Sequence, residues 1–207
     1  MPRSSPNSPM YVGVIIKPVT PIRAPVLPAD EIALYIKKGW IADSKQARHL
    51  DRAFPRDVNG RPIILRRWIR AVLRRACRAL GYPEDVVRKI LDFEIVDEKG
   101  IATNYAYVYG PKPFIYTRPI FGKEGKNLSE TYEYLSSVHI IAFVARVDAS
   151  VVDKFVAALA YGGRYVGLMS GTKMGHGRFE IETYISTDPA KAHEFITTRI
   201  KNLLPQE

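Results

Sequence analysis

The first organised stretch of the chain is a short apolar run. Met10 to Ile16 is apolar and rich in β-formers and stops at Lys17-Pro18, which predicts a strand. From 20 to 60 the periodicity fails. Pro21, Pro25, Pro28 and Pro55 interrupt this stretch, so it reads as a long insertion carrying a short helix around Asp30 to Lys38. Arg61 to Leu80 is the clearest helix. Leu65, Ile69, Val72, Leu73, Ala76 and Leu80 form one stripe, Gly81 supplies the end and Pro83 blocks continuation.

Ile90 to Val96 and Ala102 to Tyr109 read as strands. Gly110 to Ser137, with Lys112, Tyr116, Arg118, Phe121, Lys123 and Lys126, reads as a protruding central hairpin whose basic and aromatic tips suit a nucleic acid. His139 to Val147 is a continuous apolar strand, and Ala149 to Tyr161 a helix with Val152, Phe155, Val156 and Leu159 inward. Arg178 to Ile185 alternates as a last strand, and Lys191 to Leu204 closes the chain as a helix. This order predicts an α+β, ferredoxin-like (RRM-like) domain, an antiparallel sheet backed by two helices, spanning 10–207 after a flexible tail at 1–9.

Charge narrows the functional classes. Of 207 residues, 31 are Lys or Arg and 21 Asp or Glu, a net charge of +10 that favours a polyanionic partner. The single cysteine, Cys77, leaves no internal disulfide and no zinc-type cysteine pair, so a reducing, cytoplasmic setting is expected. No stretch has the length of a membrane span, and no membrane partner is expected.

The basic residues are organised. Arg66, Arg70, Arg74 and Arg78 recur at every fourth position of the predicted helix, flanked by Arg67 and Arg75. Like charges at that spacing cost an isolated helix about 0.2–0.5 kcal/mol per pair, so an acidic ligand along the ridge is expected. Gly162, Gly163, Gly167, Gly171, Gly175 and Gly177 fall within sixteen residues, interleaved with Arg164, Lys173, His176 and Arg178. Glycines let a backbone approach a ligand closely, and beside cations they suggest a cradle for phosphates. These glycines follow a helix and precede a strand, the reverse of the order that a dinucleotide or Walker-type loop requires.

The run from Ala158 to Gly167, followed by Gly171-Thr172-Lys173-Met174-Gly175-His176-Gly177-Arg178-Phe179-Glu180, resembles the glycine-rich signature of the repeat-associated mysterious proteins (RAMPs), the RRM-like subunits of CRISPR effector complexes. Asn59 to Ile64, a short strand leading into an arginine-bearing helix, and the entry turn from Lys17 to Pro25 are similar to the family's backbone subunits. Leu65, Arg66 and Arg67 stand where members commonly carry a Pro-Gly-Ser type turn. The resemblance implies a subunit of an antiviral ribonucleoprotein that binds guide RNA (crRNA) along its phosphate backbone and meets the complementary target nucleic acid. It also implies copies repeating head-to-tail in a helical oligomer beside other effector subunits, with 110–137 as a thumb. The implied RNA-binding residues are Arg66, Arg67, Arg70, Arg74, Gly163, Gly167, Gly171, Lys173, Gly175, His176 and Arg178.

Catalysis has weaker candidates. Some backbone subunits cut target RNA with a loop aspartate and a divalent metal, and Asp30, Asp43, Asp51 and Asp57 lie in the corresponding stretch. A lone loop carboxylate is more often a turn residue, so no catalytic residue, metal or cofactor is assigned. A guide-processing endoribonuclease of the same superfamily is one alternative, with His49 as the one tenable general base. His139 reads as a core residue, His193 as part of the last helix and His176 as positional in the glycine motif. A non-CRISPR RRM-like RNA-binding protein is the other alternative. Its feature would be the alternating Tyr105, Tyr107 and Tyr109, which read more simply as a half-buried sheet surface.

Overall fold

Alternation along β1 (Pro9–Pro18) decides the layering. Val12, Val14 and Ile16 are buried on one side of the strand and Ile15 on the other, so β1 is sandwiched between two layers. In this computed structural model, which describes residues 9–26, 37, 54–121, 127–169 and 172–204, β1 lies inside a six-stranded sheet. One edge pairs antiparallel with β8 (Ile140–Asp148), setting Ile16 opposite Ile141, and the other pairs with β9 (Phe179–Ser186). The far edge of β8 is shared by β4 (Glu94–Val96) and β5 (Tyr105–Tyr109), and β3 (Ile63–Leu65) extends the sheet beyond β5.

The larger core lies under three helices. Ile69, Val72 and Leu73 of α1 (Arg66–Ala79), Val87 and Ile90 of α2 (Glu84–Leu91), and Phe155 and Leu159 of α3 (Val152–Tyr161) pack onto Val12, Val14 and Ile16. The opposite face is closed by α4 (Pro189–Leu203), whose Ala192 and Ile196 cover Ile15, Ala142 and Val144. Asp188 caps α4 by accepting from the Ala190 N–H at 2.9 Å.

A smaller antiparallel sheet is built from β2 (Ile22–Val26), β7 (Asn127–Leu135) and β6 (Phe114–Phe121), with β7 in the middle. Ile22 lies opposite Leu135, and both are fully buried in the larger core. The next residue along, Arg23, lies opposite Tyr134 and therefore on the other face.

Several sequence expectations are corrected. The first helix begins at Arg66, not Arg61, because Ile63 to Leu65 pair with β5 and leave the helical path; Leu65 precedes the helix in an extended conformation. Glu84–Leu91 is a helix that periodicity did not disclose, started by Pro83 with Glu84 and Asp85 in its first turn, so the following strand shrinks to Glu94–Val96. A strand, β2, occupies part of the expected proline-rich insertion; Pro25 is tolerated because, among the described residues, β2 ends its sheet with β7 as its one partner. The expected helix at 30–38 lies, apart from residue 37, outside the described residues.

His139 is fully buried between the hairpin and β8. Its Nδ1 accepts the Ser136 N–H at 3.0 Å, its ring meets Phe114 edge-on at 5.7 Å, and burial pushes its pKa below the usual 6.5. The unfolded chain gains this proton near pH 6.5 and the folded chain only lower down. This contribution is therefore complete above about pH 6.5 and declines as the pH falls below it. We expect a lower melting temperature at pH 5.5 than at pH 7.5, with the difference narrowed in His139→Gln, measured by circular dichroism; an unnarrowed difference would assign it to other groups.

Candidate nucleic-acid interface

Helix α1 divides its arginines between two neighbourhoods. Arg66 and Arg70 flank the buried stripe and are half-buried, while Arg67, Arg74, Arg75 and Arg78 are exposed. The Arg66 guanidinium lies 5.4 Å over the Phe93 ring and 3.5 Å from Asn104 Oδ1. Burial, and then the like charge of Arg70, push its pKa down. The Nε of both Arg66 and Arg70 is buried without a hydrogen-bond partner, and among the described residues none of these six arginines joins a salt bridge. Nearby Glu94 is engaged by Arg146. The charges of Glu94 and Asp92 favour the protonated Arg66, yet among the described residues neither half-buried cation has an ion-pair partner.

The other side of α1 meets the glycine-rich segment. A cleft of about 330 Å³ is lined by Trp68, Ala71, Val72, Arg75, Val166, Gly167 and Met169, so Arg75 stands at this segment while Arg66 stands beside Phe93. The segment starts with a wide helical turn, Gly162–Val166, continuing α3. Gly163 faces the protein itself: a β-carbon there would lie 2.3 Å from the Phe179 carbonyl oxygen. The chain's own close packing thus accounts for glycine at this position, whatever else approaches the segment. Overpacking of this kind costs about 1–3 kcal/mol, so Gly163→Ala is expected to lower the urea midpoint correspondingly, with an unchanged midpoint counting against the packing.

Gly167, Leu168, His176 and Gly177 fold back on one another, with the Leu168 N–H donating to the Gly177 carbonyl at 2.8 Å. Gly175 is different, combining a φ of +83° with open space around its α-carbon. Lys173 and Met174 are exposed beside it, Arg178 is half-buried with Nη1 lacking a hydrogen-bond partner, and Gly171 lies outside the described residues. The entry turn is stapled to this tail. Thr20 Oγ1 donates to the Gly175 carbonyl at 2.8 Å and accepts from the Arg178 N–H at 2.9 Å, and the Gly177 N–H donates to the Pro21 carbonyl at 2.9 Å. Two motifs some 150 residues apart therefore form one surface.

Asp57 is a turn residue: its Oδ1 accepts from the N–H groups of Asn59 and Arg61 at 2.9 and 2.8 Å. Asp30, Asp43, Asp51 and His49 lie outside the described residues, and no metal-type cluster of His, Cys, Asp and Glu occurs among those described. His193 Nε2 lies 3.1 Å from the Val96 carbonyl oxygen, on the sheet side of α4. Tyr105, Tyr107 and Tyr109 form an edge-to-face ladder with Arg61 over the last two rings, and the hydrogen bond to Tyr105 raises the Tyr107 hydroxyl to about 12. Tyr109 packs into the core closed by α4, so this sheet face is partly covered rather than an open platform. Sequence reasoning passed over Arg23, a nine-tenths buried cation; its signal was the alternation of Ile22-Arg23-Ala24.

No protein-family model matches the chain, and no curated protein matches it. Among solved structures, a chain of the type III-B Cmr-beta complex bound to cognate target RNA is similar at a TM-score of 0.53 and 16% identity, over 86% of this chain and 61% of that one. This chain thus spans less than two thirds of that neighbour's length. Cmr6 from Pyrococcus furiosus matches at 12% identity over 83% of this chain and 98% of its own, and oligomeric Cmr4 from Pyrococcus furiosus at 11% over 87% and 99%. Both have TM-scores of 0.43, too low to bear on the fold. The chain shares its fold with that subunit of an RNA-bound type III-B complex. No described helix is long and apolar enough to cross a membrane.

Proposed function

We propose that this chain is a guide-RNA-binding backbone subunit of a CRISPR effector ribonucleoprotein, holding single-stranded RNA through its phosphates without reading sequence. The observation that carries the reading is the pair of half-buried arginines on α1, Arg66 and Arg70, each with a buried Nε that has no hydrogen-bond partner. A cation withdrawn from water requires an anion, and a phosphate chain laid along Arg66, Arg70 and Arg74 supplies a row of them. Exposed Lys173 and the unpartnered Nη1 of Arg178 offer further contacts from the glycine-rich segment. The similarity to a chain of an RNA-bound complex favours RNA over other polyanions.

The finer architecture belongs to the same proposal. The strand order β9-β1-β8-β5, with α1 and α3 backing one face, supports a ferredoxin-like arrangement within a single unit over 10–207. The β6–β7 pair supports 110–137 as a thumb reaching a neighbouring copy in a head-to-tail filament. The test is to purify the protein under native conditions, record its mass and absorbance ratio, and sequence the RNA it retains. Uniform repeat-derived RNA in a large particle is expected. A nucleic-acid-free monomer that also ignores added repeat RNA would overturn the proposal.

A further inference from the structure

The outer face of the small sheet carries an arginine buried among aromatic rings. Arg23 of β2 is 9% exposed, its guanidinium lies 4.5 Å over the Tyr132 ring, and its buried Nε has no hydrogen-bond partner. Among the described residues no carboxylate pairs with it. Cross-strand register sets Arg23 opposite Tyr134 and Tyr132 opposite Tyr116, so one arginine and three tyrosines share this face. The staple of Thr20 and Pro21 to the glycine-rich tail brings His176 against the same face, enclosing a cleft of about 350 Å³ lined by Pro21, Arg23, Tyr116, Tyr132, Tyr134 and His176.

We infer that this cleft is a nucleotide subsite: Arg23 takes a phosphate and the exposed ring of Tyr116 takes the base that follows it. The volume lies at the small end of the ~300–1,000 Å³ range of ligand sites. The chemistry is matched on both counts. A buried guanidinium with an idle donor is stabilised by a doubly accepting anion, and tyrosine rings stack on any base because every base has a π-face. Tyr116, at 55% exposure, stands at the mouth, where an entering base would meet it. The inference deepens the proposed function by adding one site away from the α1 ridge, and rests on that reading for the source of the nucleotide.

Two fluorescent probes test it, 2-aminopurine riboside 5′-monophosphate and the same base placed inside a single-stranded RNA hexamer. Saturable quenching of the monophosphate alone would make the source a free or terminal nucleotide. Quenching in the hexamer as well would make it a nucleotide within a strand. Tyr116→Ala, an exposed change that spares the core, is expected to weaken binding of the responding probe about tenfold or more. Arg23→Gln is expected to abolish the preference for the monophosphate over the unphosphorylated riboside. No saturable quenching of either probe, or equal affinity of the wild type and Tyr116→Ala, would overturn the subsite. The Arg70→Glu/Arg74→Glu variant separates the two claims. It is expected to keep monophosphate quenching, and a protein that quenches the monophosphate yet binds RNA with no salt dependence would retain the subsite and lose the phosphate-ridge reading.

Discussion

Glu133→Ala is expected to reduce the unfolding free energy by about 3–5 kcal/mol, the cost of breaking a buried ion pair from one side. Glu133 is 3% exposed on the inner face of β7. Its Oε1 receives the Arg56 guanidinium, and its Oε2 accepts the N–H of Phe54, a fully buried core residue, at 3.0 Å. One carboxylate thus ties the segment entering β3 to the hairpin sheet. Alanine removes it and leaves both a buried guanidinium and a backbone donor without that acceptor. Urea unfolding followed by circular dichroism gives the number. Combining Glu133→Leu with Arg56→Met is expected to recover much of the loss, since apolar replacement of a whole buried pair is often neutral. A loss below about 1 kcal/mol for Glu133→Ala would mean that the two sheets hold together without this clamp.

Arg70→Glu with Arg74→Glu is expected to produce the largest change in RNA affinity while leaving the fold intact. Neither side chain joins a salt bridge among the described residues, so reversal breaks no ion pair, and Arg66 gains an opposite charge in place of a like one. The loss should fall on the ligand. Each phosphate contact on a single strand contributes about 0.7 to the slope of log K against log salt, so two lost contacts flatten that slope by about 1.4. Fluorescence anisotropy across a salt series reads this directly. An unchanged slope would return the ridge to a solvated face.

Much of the fold was legible because long elements carry a complete period. β1, α1, β8, α3, β9 and α4 were all expected near their observed positions. The misses have physical causes. Leu65 and Ile69 sit four apart, so the residues of β3 continued the helical stripe of α1 although pairing with β5 makes them extended. Helix α2 has eight residues, too few for a period to stand out, and β2 was hidden by Pro25. The candidate surface was legible in composition rather than in arrangement. The arginine spacing and the glycine cluster were visible, but a glycine pattern does not distinguish approach by a ligand from approach by the chain's own Phe179. Arg23 was invisible as a site because its meaning depends on Tyr132 and Tyr134, more than a hundred residues away, being brought beside it by β7.

The proposed function has a single strand of RNA lying along this surface by its phosphates. The most direct test is the affinity of the wild-type protein for unrelated single-stranded RNA sequences of equal length, measured from low to physiological salt. For six or more contacts the predicted slope of log K against log salt is about −4 or steeper, and the same for every sequence. A slope near zero would contradict the account.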